Sequence, residues 1–406
     1  MPNTFHTTNV LLPRFDAGCD KWESWSVIAC DQYTSEPEYW ESVDEITGGA
    51  PSTLGLLLPE AYLSTDLKDE KLAAIKKNSD ALCDGYLKEY SDSMVYVERT
   101  LASGKIRRGL VGAIALDAYS FEKGAICDVR PTEGTVKERI PPRVEVRRAS
   151  VYEASHVMLF GECSDVFDLL TSKKDNMPVL YDFDLMLSGG HITGRLVSGE
   201  ILSKVSQLIS EYENERRKSG AMIYGVGDGN HSLASAKAYL EEVRMAKGDD
   251  SLARDALVEL VPITDGAIVF EPIYKTVVGA DFTDLISYIK GRAAENEGKE
   301  TLVTAYCGAE KTSLSIPVSD SEILCGVLQG YIDDYISLHG GKCDYIHGKE
   351  NLIALTKDGV VGFVFDGIDK SDLFPYVSKN GVLPRKTFSM GEACEKRYYT
   401  ELRRIK

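Results

Sequence analysis

The chain has 406 residues, 43% hydrophobic and 27% charged, with a formal net charge of -17. That composition excludes global disorder and supports a large core. It also argues against a nucleic-acid binder, which would present a basic face, so no nucleic-acid partner is expected.

The length predicts more than one domain: an α/β region over 1–260 holding a phosphate-binding core, and a C-terminal α/β subdomain over 261–406 that returns a basic tail to the site. The nine cysteines show no C-x-x-C spacing, which reads as reduced thiols in a cytoplasmic protein without structural zinc. No basic region leads into an apolar run at the start, and no apolar stretch would span a bilayer, so neither a signal peptide nor a membrane partner is expected.

In chain order, an aromatic patch comes first, with Trp22, Trp25, Tyr33, Tyr39 and Trp40. Within it a buried strand is expected over 25–30, and a helix opening at Ser35-Glu-Pro-Glu38. Residues 69–90 read as a helix, and 94–99 and 110–116 as strands joined through Ser103-Gly104-Lys105. Charge and proline dominate 126–148, where Pro141-Pro142 bar a regular helix from running through. Over 196–216, Ile201, Val205, Leu208, Ile209 and Tyr212 form one helical stripe. Residues 222–226 read as a strand, followed by a glycine turn and a helix from Ser232, on which Ala236, Leu240 and Val243 share a face. Beyond Lys247-Gly-Asp-Asp250, residues 267–270, 302–306, 313–316 and 360–365 have strand character, 321–338 reads as a helix and 392–404 as a basic helix. Interleaved strands and helices point to a mixed α/β (α+β) fold.

Three segments carry chemistry. In Gly225-Val-Gly-Asp-Gly-Asn-His-Ser232 a strand turns through three glycines into a helix. Such a turn presents unpaired amides and the positive end of a helix dipole, which suits phosphate. Gly227, Gly229, Asn230 and Ser232 are the expected phosphate-binding positions, with Asp228 and His231 as catalytic candidates. The competing reading is an ordinary strand-to-helix connection. It is neither a dinucleotide fingerprint nor a Walker loop.

The second segment is Arg130-Pro-Thr-Glu-Gly-Thr135: Arg130 would clamp an anion, Thr132 and Thr135 would bind phosphate oxygens, and Glu133 would act as general base. The third is Leu383-Pro-Arg-Lys-Thr-Phe-Ser-Met-Gly-Glu-Ala393, where Arg385, Lys386 and Ser389 suit an anion and Ser389 with Glu392 suits a capping box. His191, in a glycine-rich turn, is expected to border the site; His156 is expected to pack beside an apolar strand, and Asp31 and Gln32 are weak candidates. The six histidines form no metal-ligand pair.

These segments, with Trp25-Ser-Val-Ile-Ala-Cys-Asp-Gln32 and Leu180-Tyr-Asp-Phe-Asp184 through Gly194, resemble the family called domain of unknown function 1015 along nearly the whole chain. Its phosphate-turn motif, Asp-Gly-His-His-Arg, is similar to that of free serine kinases of the ParB/sulfiredoxin-like fold. The resemblance implies such a catalytic core with added N- and C-terminal mixed-sheet subdomains. It also implies phosphoryl transfer from pyrophosphate, ADP or ATP to L-serine, with Mg²⁺ held by Asp228. Asp228, Gly229 and His231 match the motif; Asn230 stands for the first His and Ser232 for the Arg. The lost Arg leaves room for a small donor such as pyrophosphate, with Arg385, Lys386, Lys396 or Arg397 supplying the charge. A phosphatase, a metabolite sensor and a DNA-binding ParB-like protein are the alternatives.

Overall fold

The structure is a computed structural model that describes every residue except 1, 2, 64, 83, 84 and 123. Cys83, and positions 83–84 of the helix expected over 69–90, lie outside the described residues. The chain forms two compact units, residues 1–268 with 392–406, and residues 269–391.

The first unit is built on one large mixed sheet. Its main path runs Val129–Pro131, Tyr224–Asp228, Met158–Gly161, Asp255–Pro262, Ile106–Ala115, Leu87–Thr100, Thr8–Pro13, Leu402–Arg404, Tyr152–Ala154. Tyr224–Asp228 runs parallel to Val129–Pro131, and Asp255–Pro262 parallel to Met158–Gly161; the other neighbours along this path are antiparallel. The hairpin of Val179–Asp184 and His191–Val197 adds to Leu87–Thr100.

Both faces of the sheet are covered. Met94, Tyr96, Leu110 and Ile114 join one apolar cluster, with Phe167, Ile209, Leu233 and Leu240 from the covering helices. Val95, Val97 and Val111 join the other, with Trp22, Trp25 and Trp40. Successive strand residues point to opposite faces, so a strand buried on both sides reads as a continuous apolar run.

The second unit holds its own sheet, in the order Glu310–Val318, Lys299–Cys307, Val360–Phe365, Phe270–Val278, Lys342–His347, with Phe388–Met390 also beside Phe270–Val278. Helices Phe282–Ala293 and Leu324–His339 pack on it through Leu285, Ile289, Leu328 and Ile332.

Several elements differ from the reading above. The helix expected over 69–90 spans Lys68–Leu82, and Leu87 already starts a strand. The strand expected over 25–30 is confined to Val27–Ile28, because Trp25 ends the short helix Lys21–Trp25. Strand structure expected from 267 starts at Phe270. The two prolines open the helix Ile140–Ala149, in the first turn where a missing N–H leaves no bond unmade.

Ser389 caps no helix: it lies in the strand Phe388–Met390, and the capping box joins Glu392 to Glu395 around a single 3-10 turn. Nor is 392–404 a basic helix. Tyr398–Tyr399 pairs with Val27–Ile28, and Leu402–Arg404 lies between Thr8–Pro13 and Tyr152–Ala154. Sheet partners far away in sequence override the local propensity. The eight cysteines described are free thiols. No helix among the described residues is long and apolar enough to cross a membrane.

The tail belongs to the first unit because of a buried ionic knot. Arg397 donates to Glu259 at 2.6 Å, to Glu401 at 2.7 Å and to the Ser155 carbonyl. Tyr181 also donates to Glu401. Burial alone would weaken the guanidinium's charge, but the two carboxylates outweigh it and its pKa is raised. Removing one member of such a cluster strands the others in low dielectric, at a cost of about 3–5 kcal/mol. Arg397→Met is therefore expected to lower unfolding free energy by about that amount in urea titrations followed by circular dichroism. A loss under about 1 kcal/mol would mean that the carboxylates have found other partners.

Candidate anion-binding site

The bend after Tyr224–Asp228 is set first by packing. A Cβ on Gly227 would lie 2.3 Å from the Phe160 ring. Gly229 has φ of 75° and a Cβ there would sit 2.8 Å from Val157 Cα, so a side chain meets both strain and backbone. Two of the three glycines are thus required by the fold, whatever binds nearby. Gly229 is the N-cap of the helix Asn230–Met245, and its amide is taken by the Asp228 carboxylate at 2.8 Å. The expected seat is correspondingly narrower. The amides of Asn230, His231 and Ser232 form no hydrogen bond among the described residues, and these three residues are half-buried rather than sealed.

The second segment is tied to this helix start. Asn230 Nδ2 donates to the Glu133 carbonyl and to Thr135 Oγ1, both at 3.0 Å, and the Val136 amide donates to His231 Nε2 at 3.1 Å. Glu133 and Thr135 are therefore brought to the bend across about ninety-five positions of sequence. Thr132 is buried, and its hydroxyl donates to the Val226 carbonyl at 2.7 Å, which pins the loop to the strand. Arg130 lies opposite Gly225 in the parallel pair and its Nε donates to the Cys127 carbonyl at 3.1 Å.

The cation at the bend comes from the C-terminal segment. Lys396 Nζ lies 3.3 Å from Asp228 Oδ2, with both side chains only 16% exposed. Arg397, its neighbour and a candidate for the same task, is engaged by Glu259 and Glu401 instead. Arg385, Lys386 and Ser389 belong to the other unit, where Ser389 pairs with Glu271 across two strands. His191 does not share the bend's network: Asp184 and Asp182 hold its two ring nitrogens at 2.7 and 2.8 Å on an exposed hairpin. Lys237 pairs with Asp117 and Glu241 on the surface.

Other residues gather in this region of the first unit. His156 is buried and its Nδ1 lies 2.5 Å from the Tyr399 hydroxyl, which in turn contacts Cys30 Sγ at 3.1 Å. Burial alone would raise the Asp31 carboxyl, yet His156, the Gln32 amide, Lys396 and Arg143 together hold it below the ordinary range. Burial likewise pushes the Cys30 thiol up to about 11. The only sequence signal for this group was Asp31 at the end of an apolar run; His156, Tyr399 and Lys396 are scattered along the chain.

His231 is neutral at physiological pH. Burial, followed by the charges of Arg139 and Arg143, lowers its pKa from 6.5 to about 4. Because Nε2 accepts from Val136, the proton of the neutral ring sits on Nδ1. Between 6.5 and about 4 the unfolded ring binds a proton and the folded ring does not. This contribution to stability is fully present above 6.5 and is lost as pH falls towards 4. The His231 imidazole resonances are expected to titrate near 4, and His231→Asn should flatten the pH dependence of the urea midpoint in that window. A midpoint near 6.5 would place the ring in water.

Comparison with solved structures finds a free serine kinase mutant in complex with ADP, at 13% identity and a TM-score of 0.36, over 74% of this chain and 93% of that one. A conserved hypothetical protein from Pyrococcus furiosus has 13% identity and a TM-score of 0.32, over 69% of this chain and 90% of that one. SbnI with a C-terminal truncation, from Staphylococcus aureus, has 9% identity and a TM-score of 0.35, over 69% and 82%. No curated protein matches the sequence. The family model described as "Protein of unknown function (DUF1015)" matches residues 12–295, more than half of the sequence, and the chain belongs to that family.

Proposed function

We propose that the protein is a phosphotransferase that moves a phosphoryl group from pyrophosphate or an adenine nucleotide to the hydroxyl of free L-serine. The observation that carries the reading is the half-open helix start at Asn230, where three amides without partners among the described residues adjoin an ammonium–carboxylate pair. Amides of this kind and the helix dipole favour an oxyanion. The resemblance of Asp228-Gly229-Asn230-His231 to the turn of free serine kinases adds the acceptor class.

Phosphoryl transfer asks the protein chiefly for positioning and charge stabilisation. The donor phosphate would rest on the amides of Asn230, His231 and Ser232, and the neutral His231 ring would donate Nδ1–H to one of its oxygens. Lys396 would offset charge in place of the arginine absent at Ser232. Glu133, whose loop Asn230 anchors, would take the proton of the acceptor hydroxyl. Mg²⁺ takes hard oxygen ligands, commonly one or two carboxylates plus donor phosphates, and Asp228, whose Oδ2 faces Lys396 and whose Oδ1 accepts from Gly229, would be the carboxylate to hold it. Bound there, the ion would supply further neutralisation of donor charge.

Incubation with L-serine, Mg²⁺ and ATP, ADP or pyrophosphate in turn should yield phosphoserine with at least one donor. Absence of product with every donor rejects the reading, and release of inorganic phosphate from phosphoserine without transfer replaces it by hydrolysis. Glu133→Gln should lower kcat by about a hundredfold, as expected for loss of a general base. Lys396→Met should lower kcat/KM by at least about tenfold through lost charge stabilisation. Near-normal rates in either variant remove that residue from the mechanism.

A further inference from the structure

Beside the bend lies a cavity of about 70 Å³, with Cys30, Leu57, Arg143, His156, Ser232 and Tyr399 in its wall. Pockets for nucleotides and other large ligands are usually roughly 300–1,000 Å³, so size restricts this one to an occupant of few heavy atoms. Ser232 belongs both to this wall and to the helix-start amides that form no hydrogen bond among the described residues.

Arginines crowd one side of it. Arg139 and Arg143 share a single carboxylate, Glu60, and Arg143 also donates to the Arg139 carbonyl at 2.6 Å. One positive charge is left in excess on that side. Arg147, also in the wall, is engaged by Glu153 at 2.5 Å, which Arg403 shares. Asp31, which follows the wall residue Cys30, is acted on by the charges of His156, Lys396 and Arg143, while Lys396 is in contact with Asp228. His156, only 3% exposed, keeps its Nε2 at 3.7 Å from Asp31 Oδ2, beyond hydrogen-bond distance. A small amino acid suits this wall: its carboxylate would meet Arg143, and its ammonium would lie towards Asp31, behind Cys30 and His156. Arginine is the cation whose planar fork fits a carboxylate.

We propose that this cavity is the acceptor subsite and that Arg143 binds the carboxylate of a small amino acid in it. The identity of that amino acid as serine rests on the phosphotransferase reading; the subsite itself rests on the cavity and its charges. L-alanine, which has no hydroxyl to phosphorylate, is therefore expected to bind as well as L-serine.

The test is calorimetric titration of L-serine, L-alanine and pyrophosphate into the wild-type protein, Arg143→Ala and Arg143→Lys, with circular dichroism to verify folding. Arg143→Ala should weaken both amino acids at least about tenfold and pyrophosphate less than about twofold, the scale of one lost charged hydrogen bond. Arg143→Lys, which keeps the charge but not the fork, should stay impaired for the amino acids, and the KM for serine should rise more than kcat falls. The proposal is overturned if wild type binds neither amino acid, if the variants bind them normally, or if pyrophosphate is weakened as much as serine. Amino-acid binding that depends on Arg143 without turnover would reject the kinase reading and leave the subsite standing. Phosphoserine formation with an unchanged serine KM in both variants would do the reverse.

Discussion

A guanidinium buried with two carboxylates holds the candidate site together. Arg397 joins Glu259, from a central strand of the large sheet, to Glu401, from the last residues of the chain. An ion cluster so deep tolerates little displacement, because each charge depends on the others for the solvation it lost on burial. The neighbours of Arg397 in sequence inherit that fixity. Lys396 reaches Asp228, and Tyr399 reaches His156 and Cys30. The C-terminal segment thus carries residues of the site as well as strands of the sheet.

The bend itself shows how structure and chemistry share residues. Gly227 makes room for Phe160, and Gly229 supplies the left-handed conformation that starts the helix. Asp228 closes one amide and pairs with Lys396, while Asn230 and His231 fasten the loop over 132–136. Among the described residues, what these tasks leave over is three amides and one neutral imidazole with a proton on Nδ1, beside the Lys396–Asp228 pair. That remainder is suited to an oxyanion, and the low pKa of His231 follows from burial near Arg139 and Arg143.

Local patterns made much of the fold legible. The helices Gly199–Ser219 and Leu324–His339 are close to those expected over 196–216 and 321–338, and the strands expected over 94–99 and 110–116 follow from apolar runs and from the loop at Ser103-Gly104-Lys105 between them. The bend at 225–232 was legible because glycines and a helix start announce themselves within eight residues. Less legible was why the glycines are there, since Phe160 and Val157 lie some seventy residues away. The tail misled for the same reason: basic residues at helical spacing over 392–404 turned out to be strands claimed by distant partners.

By itself the sequence determined the mixed α/β class, the family, the position of the bend and the nearby acid, amide and imidazole, because all of these are written in short-range pattern. Only the tertiary structure decided which cation stands at the bend, that Arg397 is buried between Glu259 and Glu401, and that His156 and Arg143 gather beside Ser232. Those outcomes depend on burial and on charge pairs between segments far apart in the chain, and no local spacing encodes the dielectric or the partner that a side chain will meet.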